Sequence, residues 1–201
     1  MSRDVQRPAV WPVSAAGAVL IGLVAYVPAA LPSYQIDRLY ATAYLFTGCW
    51  VLGSAQVLWL RPADPTGPRR AVWAALTMWA GLDLLIWHVF VAYQRLGSHA
   101  DVVEHTRRTA GVGWGVYVNY LFAAVWLADT VWLTAATRSY ARRPRWVGRM
   151  VHGFLAFVVF NATVVYGELP TRLAGGVWFA ILGISWWRRA RFTVPSVHAA
   201  R

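Results

Sequence analysis

Ala71-Val-Trp-Ala-Ala-Leu-Thr-Met-Trp-Ala-Gly-Leu-Asp-Leu-Leu-Ile-Trp-His-Val-Phe-Val-Ala-Tyr93 is the stretch on which the fold turns. It holds one carboxylate, Asp83, and one imidazole, His88, in an otherwise almost wholly apolar run. A helix needs about 20 such residues to cross the hydrocarbon of a bilayer. Just before it, Arg61-Pro-Ala-Asp-Pro-Thr-Gly-Pro68 cannot continue a helix, because proline lacks the amide hydrogen and clashes with the preceding turn. The run is therefore a separate spanning element with a sharp start.

Five further runs of the same character flank it. They cover 13–31, 39–60, 112–136, 147–166 and 173–187, with the last short and extended by Thr171 and Arg172. Of the 201 residues 58% are hydrophobic and 13% charged, against roughly 25% charged in soluble domains. The expected fold is all-α: one polytopic membrane helix bundle over residues 1–201, with about six transmembrane helices.

Charge gives the orientation. The 19 basic residues are all arginine, and the net charge is +11. They lie in short segments between apolar runs, with no basic face interleaved with aromatics, which argues against a nucleic-acid partner. Arg38, Arg95, Arg107, Arg108 and Arg172 fall on one side of the expected topology, and all the other arginines on the opposite side. Cytoplasmic loops carry the excess of basic residues. Both termini are thus expected in the cytoplasm and the chain in the plasma (inner) membrane, multi-pass. An alternative reads residues 1–33 as a secretory signal peptide, from their arginine-containing start and Ala29-Ala30; the apolar run is long for that role. Trp11, Trp59, Trp73, Trp146, Trp186 and Trp187 are expected at the inner interface, Trp87, Trp114 and Trp178 at the outer, and Trp50, Trp79 and Trp126 in mid-membrane packing. Cys49, the single cysteine, reads as a small core residue.

Ionisable side chains inside a bilayer are costly and mark candidate sites. With a rise of about 1.5 Å per residue, depth sorts them into two clusters. The outer one is His88, Asn119, Asn161 and Glu168, roofed by an eighteen-residue loop, 94–111, bearing His99, Asp101, Glu104 and His105. The inner one is Asp129 with His152, near Arg149, and Asp83 lies between the clusters. His88, Asn119, Asn161, Glu168 and Asp83 are the candidate ligand-binding set. His88, His99 and His105 are the candidate metal ligands, since imidazoles suit zinc, iron and copper. Haem held by His88 and His152 is disfavoured, because their depths differ by roughly 15–20 Å. Asp129 and His152 are expected to form a buried hydrogen-bonded pair.

Gly111-Val-Gly-Trp-Gly115 lacks the strand and the Lys-Ser/Thr of a phosphate loop, and reads as a turn into the next span. Gly175, Gly176 and Gly183 suggest a close-packed helix face. No nucleophile elbow is present. Two functional readings follow. One is a non-catalytic protein that binds or transports a small polar ligand or serves as a subunit of a complex, its partners being the bilayer and other membrane proteins or a second copy. The other is a membrane-embedded redox enzyme dependent on a metal ion or haem, with the outer histidines as its site.

Overall fold

The computed structural model describes residues 38–58, 60, 67–167 and 169–192. The first expected span, 13–31, and the candidate ligand Glu168 lie outside the described residues. Within them every regular element is a helix. We label them α1 (Arg38–Leu58), α2 (Gly67–Leu96), α3 (His99–Ala110), α4 (Gly115–Ala135), α5 (Thr137–Arg142), α6 (Arg145–Phe160) and α7 (Leu169–Phe192). One π-helical turn, Asn161–Val165, extends α6.

Among the described residues three helical stretches are long and apolar enough to cross a membrane: Arg69–Leu96, Gly115–Ala135 and Arg145–Val165. Helices α1 and α7 have the length, with 21 and 24 residues. Pro68 and Pro170 sit in the first turns of α2 and α7, where a missing amide hydrogen costs nothing.

The five long helices close into a ring. Helix α1 packs on α2 and α7, α2 on α4, α4 on α6, and the π turn of α6 returns the chain to α7. Contacts fix the directions. Thr42, early in α1, meets His88, late in α2, and Trp79 of α2 donates to Thr134 of α4 at 3.0 Å. Tyr44 and Thr171, both near the starts of α1 and α7, share a hydrogen bond of 2.8 Å. Neighbours in sequence are thus antiparallel and α1 is parallel to α7. One end of the ring collects the arginines of α5 and the start of α6; the far end carries α3.

The interior is apolar, with Trp50, Val51, Met78, Trp126, Leu133 and Leu155 fully buried. The rim is apolar too: Ile86, Leu121, Met150 and Phe157 are exposed. A water-soluble globule keeps such contiguous apolar surface small, so this is the pattern of helices facing lipid. Trp73, Trp114, Trp146, Trp186 and Trp187 are likewise exposed near helix ends. Trp178 departs from the interfacial expectation. It lies against Gly48, and its indole nitrogen is buried without a partner. Of the three glycines on α7, Gly175 faces Thr163 of the π turn, whereas Gly176 and Gly183 face open space. The close-packed face is therefore limited to Gly175.

The expected loop 94–111 is mostly helix. Ser98 accepts from the Asp101 amide at 3.3 Å, and the Asp101 carboxylate accepts from the Ser98 amide at 2.9 Å. This reciprocal cap satisfies two amide groups that a helix start leaves free. Glu104 accepts from Arg107 and Arg108 one turn on, and Gly111 ends α3 at φ 78°. Such a left-handed residue favours glycine.

Candidate functional site

The polar groups of the bundle do come together at the arginine-rich end. Asp129, on the last turns of α4, is 4% exposed. Helix α5 follows at once and turns Tyr140 back under the bundle, where it is 1% exposed. Pro144 then breaks the chain and α6 carries His152 upward beside α4. The Tyr140 hydroxyl donates to Asp129 Oδ2 at 2.8 Å and lies 3.4 Å from His152 Nε2. Asp129 Oδ2 and His152 Nε2 are themselves 3.7 Å apart, too far for a hydrogen bond. The expected direct pair is thus corrected to a pair bridged by a tyrosine.

Arg143 completes the group, and Arg149, expected nearby, instead lies exposed. The Arg143 guanidinium stands 3.6 Å over the Tyr140 ring, and its Nη2 is 3.2 Å from His152 Nε2. A guanidinium can only donate. His152 Nε2 is therefore the acceptor, and the ring is neutral with its hydrogen on Nδ1. That Nδ1 is buried with no hydrogen-bond partner. Burial first, and then the Asp129 carboxylate, hold the Tyr140 phenol well above its usual pKa, so it remains a donor at neutral pH. Trp132 meets the other edge of Tyr140, with ring centres 5.7 Å apart. The result is one carboxylate, one phenol, one imidazole and one guanidinium joined between α4, α5 and α6 with little access to solvent.

Asp83 stands apart on α2. Its Oδ2 is buried and has no hydrogen-bond partner. Among the described residues Asp83 Oδ2 and His152 Nδ1 are the buried atoms of ionisable side chains that have no hydrogen-bond partner.

At the far end His88, Asn119 and Asn161, the described members of the expected cluster, have separate surroundings. His88 has Thr42 Oγ1 3.2 Å from its Nδ1, and its ring meets Phe46 edge-on at 5.3 Å. Asn119 lies on an exposed face of α4. Asn161 donates back to the Phe157 carbonyl of its own helix at 2.8 Å. His99 lies 3.0 Å from the Tyr93 hydroxyl and 3.2 Å from that of Tyr120, while His105 is exposed. Among the described residues no three His, Cys, Asp or Glu side chains are grouped so as to hold a metal ion. The candidate triad His88, His99 and His105 is therefore corrected: each histidine has its own surroundings. Helix α3 buries none of its side chains, and it packs on the adjoining ends of α2 and α4. Arg172, expected to reach toward an interface, instead donates to the carbonyls of Gly167, just past the π turn, and of Val165, its last residue, at 2.7 and 3.4 Å.

Tyr140 and Arg143 were not among the expected site residues. Both lie in a short arginine-rich connection without hydrophobic periodicity. The available signal was a lone aromatic among arginines between two spans bearing buried charge. A scan against protein-family models returns no match, and neither does a search of the curated proteins or of the solved structures.

Proposed function

We propose that the chain is a six-span protein of the plasma (inner) membrane with both termini in the cytoplasm. On this reading the arginine-rich end of the ring faces the cytoplasm, and residues 13–31 supply the sixth span. Its role is non-catalytic: it binds or passes a small polar solute, alone or as a subunit of a membrane complex, by way of polar groups enclosed in the bundle. One observation carries this reading. A joined Asp129–Tyr140–His152–Arg143 group sits between spanning helices and still leaves the imidazole Nδ1 unpartnered. Ionisable groups at such depth mark ligand or ion pathways by default, and a purely adhesive contact has no need of an unmet donor.

The reading is tested by thiol accessibility in a Cys49→Ser background. His152→Cys and Asp83→Cys are expected to react with a small hydrophilic methanethiosulfonate in intact membrane vesicles, because a polar solute needs a wetted route. If both stay unreactive while Ser139→Cys on α5 reacts, the polar groups merely join helices and the reading fails. Ser2→Cys and Ser196→Cys test the topology. Both are expected to be labelled by an impermeant maleimide only from the cytoplasmic side.

A further inference from the structure

The arginine-rich end carries more positive charge than the bundle uses. Arg138, Arg142, Arg145 and Arg149 are exposed on α5 and the start of α6. No acidic residue occurs in sequence between Asp129 and Glu168, and among the described residues none of the four has an ion-pair partner. Only Arg143 turns inward.

A second observation lies one residue along α6 from Arg149. Helices α4 and α6 leave an open groove of about 230 Å³, lined by Leu121, Val125, Met150, Val151 and Phe154. Every lining residue is apolar. Trp146, Met150 and Phe154 recur four residues apart and so form one stripe along α6. Trp146 is 67% exposed at the basic end of that stripe. With a rise of about 1.5 Å per residue, the groove begins one residue beyond Arg149 and continues for about one helical turn. Guanidinium groups with no ion-pair partner among the described residues thus stand at the head of an apolar trough that runs away from Arg149.

We propose that this corner is a binding site for an anionic phospholipid. Arg142, Arg145 and Arg149 take the headgroup phosphate, and one acyl chain lies in the groove between α4 and α6. The guanidinium fork matches phosphate oxygens, and Trp146 stands at the depth where indole rings meet headgroups. The net positive charge selects an anionic headgroup over a zwitterionic one, whose ammonium the corner repels.

The test uses the full chain in nanodiscs of phosphatidylcholine with a minority of phosphatidylglycerol. Lipids that stay with the protein through detergent extraction are identified by native mass spectrometry. The wild type is expected to retain phosphatidylglycerol preferentially. Arg145→Gln with Arg149→Gln is expected to reduce that preference about thirtyfold, or five- to sixfold for each arginine near the surface. Val125→Trp, or the milder Val151→Phe, is expected to release the lipid by filling the groove while the arginines remain; unchanged circular dichroism verifies folding. Retention that survives the groove variants would overturn the site, leaving only diffuse attraction of headgroups. Displacement by inorganic phosphate alone would overturn the lipid assignment. A groove variant that splits a dimer without releasing lipid would assign the groove to a second copy. Cross-linking of Met150→Cys to residues 13–31 would assign it to the chain's own first segment.

Discussion

Asp129 and His152 at one end of the ring, and His88 and Asn161 at the other, were matched in the same way, by equal height in the bilayer. The first pair shares a tyrosine, with contacts of 2.8 and 3.4 Å. The second pair never meets: His88 turns toward Thr42 and Phe46, and Asn161 bonds to its own helix. Height along a helix follows from counting residues, but the direction around the axis depends on which neighbour each face meets. At the arginine-rich end a connection of nine residues, 136–144, forces α4 and α6 side by side, so equal height was enough. At the far end the groups sit on helices with different neighbours around the ring, and equal height brought nothing together.

This contrast can be broken most directly at Tyr140. Tyr140→Ala removes a fully buried ring and the bridge at once, and is expected to cost about 3–5 kcal/mol, read as thermal unfolding in a nonionic detergent. A loss below about 1 kcal/mol would put this end on the same footing as the exposed one. Tyr140→Phe sharpens the comparison, because it keeps the ring and removes only the donor to Asp129. It is expected to cost about 1–3 kcal/mol, the penalty for leaving a buried acceptor unpaired.

The far end is expected to respond less. Ser98→Ala deletes the side-chain cap of α3 and should cost about 1 kcal/mol. Hydrogen exchange should detect this as faster exchange confined to residues 99–103, and a change spreading into α2 or α4 would show that α3 is integral to the bundle. The smallest effect is a matter of pH. Arg107 and Arg108 hold the Glu104 carboxyl down at about 2, below its usual 4.5. A depressed pKa means that this support is complete above about 4.5 and is lost as the pH falls through about 2. The side-chain carboxyl carbon resonance of Glu104 should therefore be steady from neutral pH to about 4.5 and shift only toward 2. A midpoint near 4.5 would show that the two arginines do not hold the carboxylate.

Much of the architecture was legible because long apolar runs have few other destinations. The run 71–93 lies within α2, and 112–136 matches α4 to within a few residues. The cap of α3 was legible in principle, since Ser98-His-Ala-Asp101 is a serine followed three residues later by a carboxylate, but it lies in a segment whose length reads as loop. Tyr140 was not legible. A six-residue helix gives no periodicity, and nothing local shows that an aromatic among arginines points upward rather than along the surface. The π turn was likewise hidden, since 161–165 reads as ordinary apolar helix and its close contact with Gly175, where a Cβ would meet Thr163 Oγ1 at 2.6 Å, comes from a different helix.

The bridge between α4 and α6 also bears on how the chain enters its membrane. A lone helix bearing Asp129 would meet acyl chains with an uncovered carboxylate, at a cost of about 2.5–3.5 kcal/mol at mid-depth and less near the edge where Asp129 sits. Its partners arrive within the next 23 residues of synthesis, on the adjoining turn and the returning helix. The two spans are therefore best delivered as a pre-formed hairpin, with the carboxylate already shielded before either helix is released into lipid.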